Sequence, residues 1–477
     1  MGTVRLTLVF EAVCAVLVAA TLGAQAPGGK APSPDVPPLP KANASAYVIQ
    51  NAKIYTLAGA PIERGSLVIQ GGKIAAVGAS VTVPAGAEIV NGEGLEIYPG
   101  LFDSVTRLGL TEIGAVNATN DFAEIGGFNP QLDAASAISP VTDHIPVARA
   151  NGITHAISAP GAGAPMGGQA SAISLDGWTI EEMLINRSVA LTVAWPSLRT
   201  GGGFDPATFT RRRQTFAEVK QNYDTKVQEL EDWLDRARRY QQATAHPVDG
   251  GPSRDLKLES LGPVLRGERP VLVSADSERD IRNAIAFFEK QQIRMILAGG
   301  AESYKVKDLL AQKKIPVILG PTQALPSDDE PYDIRNTTPG VLQRAGVLVA
   351  LATFDSSDSR NLPYEIGNAV SYGLAHDDAI KAITLNPARI FGLDKQLGTL
   401  EAGKIANLIV TTGDPLEIQT HVKYLFINGR PTSLDNRHLN LYEKWRSRPL
   451  PSPGNAPKAP PTTSARYPQP HVAPRAR

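Results

Sequence analysis

What the chain lacks narrows its function first. It holds one cysteine, Cys14, in 477 residues, so neither a disulfide framework nor a cysteine-ligated zinc site can be assembled from it. It also lacks an excess charge of either sign. Its 47 Lys and Arg balance 47 Asp and Glu, leaving no overall field to draw in a nucleic-acid backbone or an anionic bilayer. Nucleic acid is therefore not an expected partner. Long apolar runs are missing beyond the N-terminus, and the one run there, Ala12 to Gly23, is well short of the ~20 residues that span a bilayer. Preceded by Arg5 and followed by Ala24-Gln25-Ala26, it reads as a signal peptide over 1–26. That reading places the mature chain in the periplasm or outside the cell, with no transmembrane helix.

What is present suits a cored protein with many turns: 42% hydrophobic residues, 43 Gly and 38 Pro. Residues 27–46 form a proline-rich linker, with six prolines between 27 and 41. Residues 433–477 form a C-terminal extension. Its end, 446–477, has nine prolines, six Lys or Arg and no acid, and is expected to contribute nothing to folding. Between these tails, 47–98 alternates in short β-like runs separated by Gly and Pro turns, and 396–432 returns to that texture. Neither segment has enough strands to stand alone, so the two are expected to form one small, discontinuous β-sandwich.

From 99 to 395 the chain repeats apolar strands and amphipathic helices, the pattern of a parallel sheet with crossover helices. Seven strands are legible: Leu101–Thr106, Ile153–Ala159, Val189–Ala194, Pro270–Ala275, Arg294–Ala298, Pro316–Leu319 and Val347–Thr353. An eighth is expected before Pro270. The fold class is thus α/β, a (β/α)8 TIM-like barrel beside the β-sandwich. A helix over about 216–242 carries Val227, Leu230, Trp233, Leu234, Ala237 and Tyr240 on one face, suited to packing on the barrel or to covering its mouth.

Tyr98-Pro99-Gly100-Leu101-Phe102-Asp103 opens the barrel and Gly398-Thr399-Leu400-Glu401-Ala402-Gly403-Lys404-Ile405-Ala406-Asn407-Leu408 closes it. With Thr384–Leu393 and Asn361–Glu365, these segments resemble the amidohydrolase superfamily, in particular its imidazolonepropionase-like branch. The resemblance implies a metal-dependent hydrolase of C–N bonds in cyclic amides, ureas or acylated amino acids, zinc being typical of the family. It also implies a His-x-His pair on the first strand, where two alternate residues share a face. This chain has Val105 and Arg107 there. A valine has no donor atom, and a guanidinium is a permanent cation that repels a metal. The two later histidine positions fall at Ser274 and at Ala298 or Gly299, and none of the seven histidines of the chain forms an i, i+2 or i, i+4 pair.

No metal or other cofactor is therefore expected. A carboxylate-only site from Asp103, Asp276, Glu302 and Asp355 would be the sole alternative. Asp355 matches the position of the family's catalytic aspartate, displaced by the extra residue Phe354. Candidate ligand-binding residues are Arg107, Asp121 in the loop after the first strand, and Gly167, Gly168 and Gln169 in a Gly-rich loop. Arg107 is expected either to pair with Asp103, Asp276 or Asp355, or to stand free for a substrate carboxylate. Two readings follow. The chain is an exported hydrolase with a degenerate metal site, or a non-catalytic ligand-binding or partner protein that keeps the barrel. A small-molecule ligand, an oligomer and a paralogous partner chain all stay open.

Overall fold

The computed structural model describes residues 37–448, except 162, 201, 206–209, 247–250 and 328. The signal-like run with Cys14, most of the proline-rich linker and the basic tail beyond 448 lie outside the described residues. Among those described, no helix is long and apolar enough to cross a membrane.

Two sheets organise the molecule. The first draws on both ends of the chain, with β1 (Ala46–Ile54), β2 (Ile62–Gln70), β3 (Lys73–Gly78), β4 (Glu88–Asn91) and β5 (Glu96–Pro99) from the N-terminal side. Its remaining strands come from beyond the barrel: β16 (Leu408–Thr411), β17 (Val422–Ile427) and β18 (Arg430–Thr432). The order is β18-β17-β16-β5-β1-β2-β3, with β4 also paired to β1. The two halves are joined by the antiparallel β5–β16 ladder, from Pro99–Leu408 to Glu96–Thr411. The sheet curls so that Tyr47 of β1 meets Phe426 of β17 edge-on, ring centroids 5.5 Å apart, although two strands separate them. Alternating apolar side chains, including Ile49, Ile54, Leu67, Ile69, Leu408 and Phe426, fill its core.

The second sheet is the barrel: β6 (Leu101–Thr106), β7 (Ile153–Ser158), β8 (Gly168–Ser174), β9 (Leu184–Ala194), β12 (Val271–Ala275), β13 (Met295–Gly299), β14 (Val317–Leu319) and β15 (Val349–Leu351). A short hairpin, β10 (Gly202–Asp205) with β11 (Thr210–Arg213), lies between β9 and β12. The eighth strand is not where the sequence suggested. The stretch before Pro270 forms two short helices, Leu256–Ser260 and Gly262–Leu265. The missing strand is β8, antiparallel to both β7 and β9, so the Gly-rich segment that begins as a loop continues as barrel wall.

Closure between the last strand and the first is near complete and rests on side chains as much as on a ladder. The Phe354 N–H donates to the Val105 carbonyl at 2.9 Å. The buried Asp103 carboxylate accepts from the Thr353 N–H (3.1 Å), the Thr353 hydroxyl (2.6 Å) and the Ser359 hydroxyl (2.7 Å).

The barrel interior is an apolar stack of Phe102, Ile157, Leu272, Ile296, Ile318 and small alanines, and Ala388, Phe391, Leu393 and Leu397 belong to the same cluster. Side chains, not solvent, fill it. His155 is buried here beside Phe102, accepts from Asn407 through Nε2 and pairs with the Thr154 hydroxyl at 2.7 Å. Burial pushes its imidazole down to about 3, so it is a neutral packing residue. The helix Phe216–Ala245 buries Leu230, Leu234 and Ala237 in the core that also holds Trp195 and Phe287. It packs on the barrel, capped by the reciprocal Thr215–Glu218 box.

Candidate ligand site at the barrel mouth

In a barrel of this kind the chemistry sits where the strands end at their C-terminal face. There β6 delivers Val105, buried in the interior cluster, and then Arg107, the first residue past the strand. The Arg107 guanidinium lies 4.0 Å from the centre of the Phe122 ring. It forms no ion pair with Asp103, Asp276 or Asp355, contrary to the first of the two expectations for it. Each of those carboxylates is satisfied locally instead. Asp103 closes the barrel, Asp276 accepts from the Ala301 N–H at 3.2 Å, and Asp355 accepts from the N–H groups of Ser357 (2.7 Å) and Asp358 (3.2 Å).

Glu302, the fourth carboxylate of the alternative metal set, is bound by Arg199 at 2.6 Å and Lys305 at 3.4 Å and accepts from the Glu278 N–H. Each of the four acids is thus engaged by its own partners. Among the described residues no group of three or more His, Cys, Asp or Glu side chains is arranged to hold a metal ion.

The later strands carry no donors in place of histidine. Ser274 of β12 is exposed, and Ala298 of β13 is buried in the interior cluster. Gly299 has φ +88°, and a Cβ there would stand 2.7 Å from Asp276 Oδ1, so a larger side chain is excluded by backbone and neighbour alike. Phe354 takes up the extra residue before Asp355 in a left-handed conformation, φ +57°. The Asp355 carbonyl accepts from the Thr106 hydroxyl at 2.7 Å. Among the described residues, the side chains at Val105, Arg107 and Gly299 offer no metal donor, and they do not fit a divalent metal.

The remaining candidates separate. The Gly167 N–H is committed to the Thr192 carbonyl at 3.0 Å. A Cβ on Gly167 would meet Gly161 Cα at 2.6 Å, and one on Gly168 would meet the Leu132 carbonyl at 3.0 Å, which explains glycine at both by close backbone approach. Gln169 is buried, donating to the Pro130 carbonyl at 2.8 Å and accepting from Ser188 at 2.8 Å and Arg269 at 3.2 Å. Asp121 is exposed, next to Phe122 in the loop that holds Arg107.

A cavity of about 540 Å³ opens beside this loop, lined by Glu124, Gly126–Asn129, Gly161, Gly163–Pro165 and Gly167, with Lys226 and Glu229 of the long helix. Phe122 joins it to Arg107, since its carbonyl accepts from the Gly161 N–H at 2.5 Å. Phe122 was not foreseen. It sits in a loop without periodicity, and nothing in the sequence ties it to Arg107.

A barrel whose first strand follows a Pro-Gly-x-x-Asp turn, flanked by a sheet drawn from both chain ends, has the architecture of an amidohydrolase-type barrel. The comparisons agree. Residues 327–433 match the amidohydrolase family model. The structure resembles the crystal structure of an amidohydrolase from Thermotoga maritima MSB8, with a TM-score of 0.71 and 28% identity, covering 81% of this chain and 99% of that one. The chain is 22% identical over 376 residues to amidohydrolase tasK of Hapsidospora irregularis, covering 73% of this chain and 37% of that protein. It is 32% identical over 104 residues to an imidazolonepropionase of Picrophilus torridus, covering 20% of this chain and 26% of that protein. The chain thus spans well under half the length of these curated relatives. It has the amidohydrolase-superfamily fold and is homologous to that superfamily. The link to the imidazolonepropionase branch rests on partial matches.

Proposed function

We propose that this chain is an exported, non-hydrolytic amidohydrolase-fold protein that uses the barrel mouth to hold a small ligand. The observation that carries this reading is the mouth itself. Val105, Arg107, Ser274 and Ala298 or Gly299 stand where the superfamily resemblance calls for histidines, and Asp355 is engaged by its own turn. Without a metal to lower the pKa of a bound water there is no hydroxide nucleophile at neutral pH. Export is supported by the apolar run 12–23 with its small-residue exit.

The names of the relatives favour a second reading, a surviving C–N hydrolase in which Asp355 acts on substrate. A screen of N-acyl amino acids, dipeptides, hydantoins and lactams, with product followed by chromatography, separates the two. The expected result is no turnover above that of the Asp355→Asn variant. Turnover that this substitution abolishes would establish the hydrolase.

A further inference from the structure

We infer that the C-terminal helix Arg437–Arg446, with the basic segment that follows it, forms a docking face for an anionic lipid surface. This stands apart from the reading of the barrel mouth.

The helix is held at its start and bare along its length. The Asn436 side chain caps it by accepting from the N–H groups of His438 and Leu439, and Arg437 pairs with Asp143 at 2.5 Å. None of its ten residues is buried. At 3.6 residues per turn Leu441, Trp445 and Tyr442 fall within an arc of roughly 100°, Leu439 lies about 60° further on, and Arg437, Asn440, Glu443 and Lys444 take the other side. Trp445 is 58% exposed and Tyr442 61%. An apolar stripe left in water in this way marks an interaction surface. It continues beside the helix, where Leu439 and Ile418, the latter 78% exposed, line one groove of about 380 Å³.

Charge decides what covers this face. The chain is neutral overall, yet residues 446–477 carry six Lys or Arg and no acid. The groove is lined by Arg360 and by no Asp or Glu. A second copy of the same face would bring two basic segments together, and the basic segment laid back into its own groove would meet Arg360. Like charges oppose both arrangements. An apolar layer with an anionic border satisfies the stripe and the cations together. The ring contacts suit that border. Lys444 Nζ lies 5.4 Å from the centre of the Trp445 ring, and the guanidinium groups of Arg448 and Arg446 lie 5.8 Å from the rings of Trp445 and Tyr442. Tryptophan and tyrosine sit at the headgroup level of a bilayer, where long cationic side chains reach lipid phosphates. One short helix with four large apolar side chains gives a reversible attachment, which the basic segment strengthens.

The test is co-sedimentation of residues 27–477, which hold every described element and omit the apolar run 12–23. The vesicles are phosphatidylcholine alone and phosphatidylcholine mixed equally with phosphatidylglycerol. Binding is expected to the mixed vesicles only, and to fall steeply with added salt. Trp445→Ala combined with Tyr442→Ala should weaken it at least about tenfold while leaving the melting temperature unchanged, since neither ring is buried. Lys458→Gln, Arg466→Gln, Arg475→Gln and Arg477→Gln together should weaken it by a similar factor. No binding to the mixed vesicles, equal binding to the neutral ones, or binding left intact by either variant would each overturn the inference. So would a concentration-dependent dimer in gel filtration that the double ring variant abolishes, because a second copy would then cover the face.

Discussion

The closed interior of the barrel and its open mouth tell opposite stories. Around Phe102 and His155, the Thr384–Leu393 and Gly398–Leu408 motifs do visible structural work. Ala388, Phe391, Leu393 and Leu397 pack into the interior, and Asn407 ties His155 to the N–H of Asn428 in the flanking sheet. At the mouth, the positions that would carry chemistry hold valine, arginine, serine and glycine. The difference teaches that this barrel is secured by packing and hydrogen bonds away from Val105, Arg107, Ser274 and Gly299, so its fold does not depend on which side chains stand at the mouth. Function lives in the site and not in the fold.

The largest effect should therefore come from the closed region. Asn407→Ala strips a partner from two groups in the join between barrel and sheet, His155 Nε2 and the Asn428 N–H. It should cost about 2–4 kcal/mol in urea unfolding. Ser274→Ala at the mouth should cost less than about 0.5 kcal/mol, as for an exposed side chain with no structural partner. Equal losses at the two positions would erase the contrast.

A smaller effect concerns pH and sets the seam of the barrel against its interior. Burial pushes the Asp103 carboxyl up to about 7, against the pull of Thr353 and Ser359, so the fold favours its neutral form. Its contribution is full below about pH 4 and is lost as pH rises to about 7. His155 has the opposite sign, because an imidazole held down at about 3 costs stability as pH falls below its ordinary value near ~6.5. The two slopes oppose each other between about pH 4 and 6.5. Asp103→Asn should remove one of them, so that its urea midpoint rises with pH across that window more steeply than that of the parent chain. A parallel pair of pH curves would show that Asp103 is ionised throughout.

Much of this was legible in the sequence because fold-bearing residues leave local signals. The Pro-Gly turn, the strand periodicities and the closing Gly-rich motif each point to one architecture, and β5 pairing with β16 completes the sheet from both ends as the strand counts require. The eighth strand was not legible, since Gly-Gln-Ala-Ser-Ala-Ile-Ser is made largely of small residues with weak strand preference. It also runs antiparallel, which the strand–helix rhythm gives no reason to expect. At the site, the positions Val105, Arg107 and Ser274 came into view only through the family resemblance, which implies histidines there. The state of Arg107 could not be read from the sequence, because it depends on Phe122 fifteen residues on and on local N–H and hydroxyl donors that occupy Asp103, Asp276 and Asp355.

The most direct test of the account is elemental analysis of the full chain purified without chelator and dialysed against excess zinc and then against buffer. The proposed reading predicts less than roughly one zinc per ten chains, since among the described residues no group of three or more His, Cys, Asp or Glu side chains is arranged to hold the metal. Zinc retained at about one per chain, and reduced by substitution of Asp355 or Asp276, would contradict it.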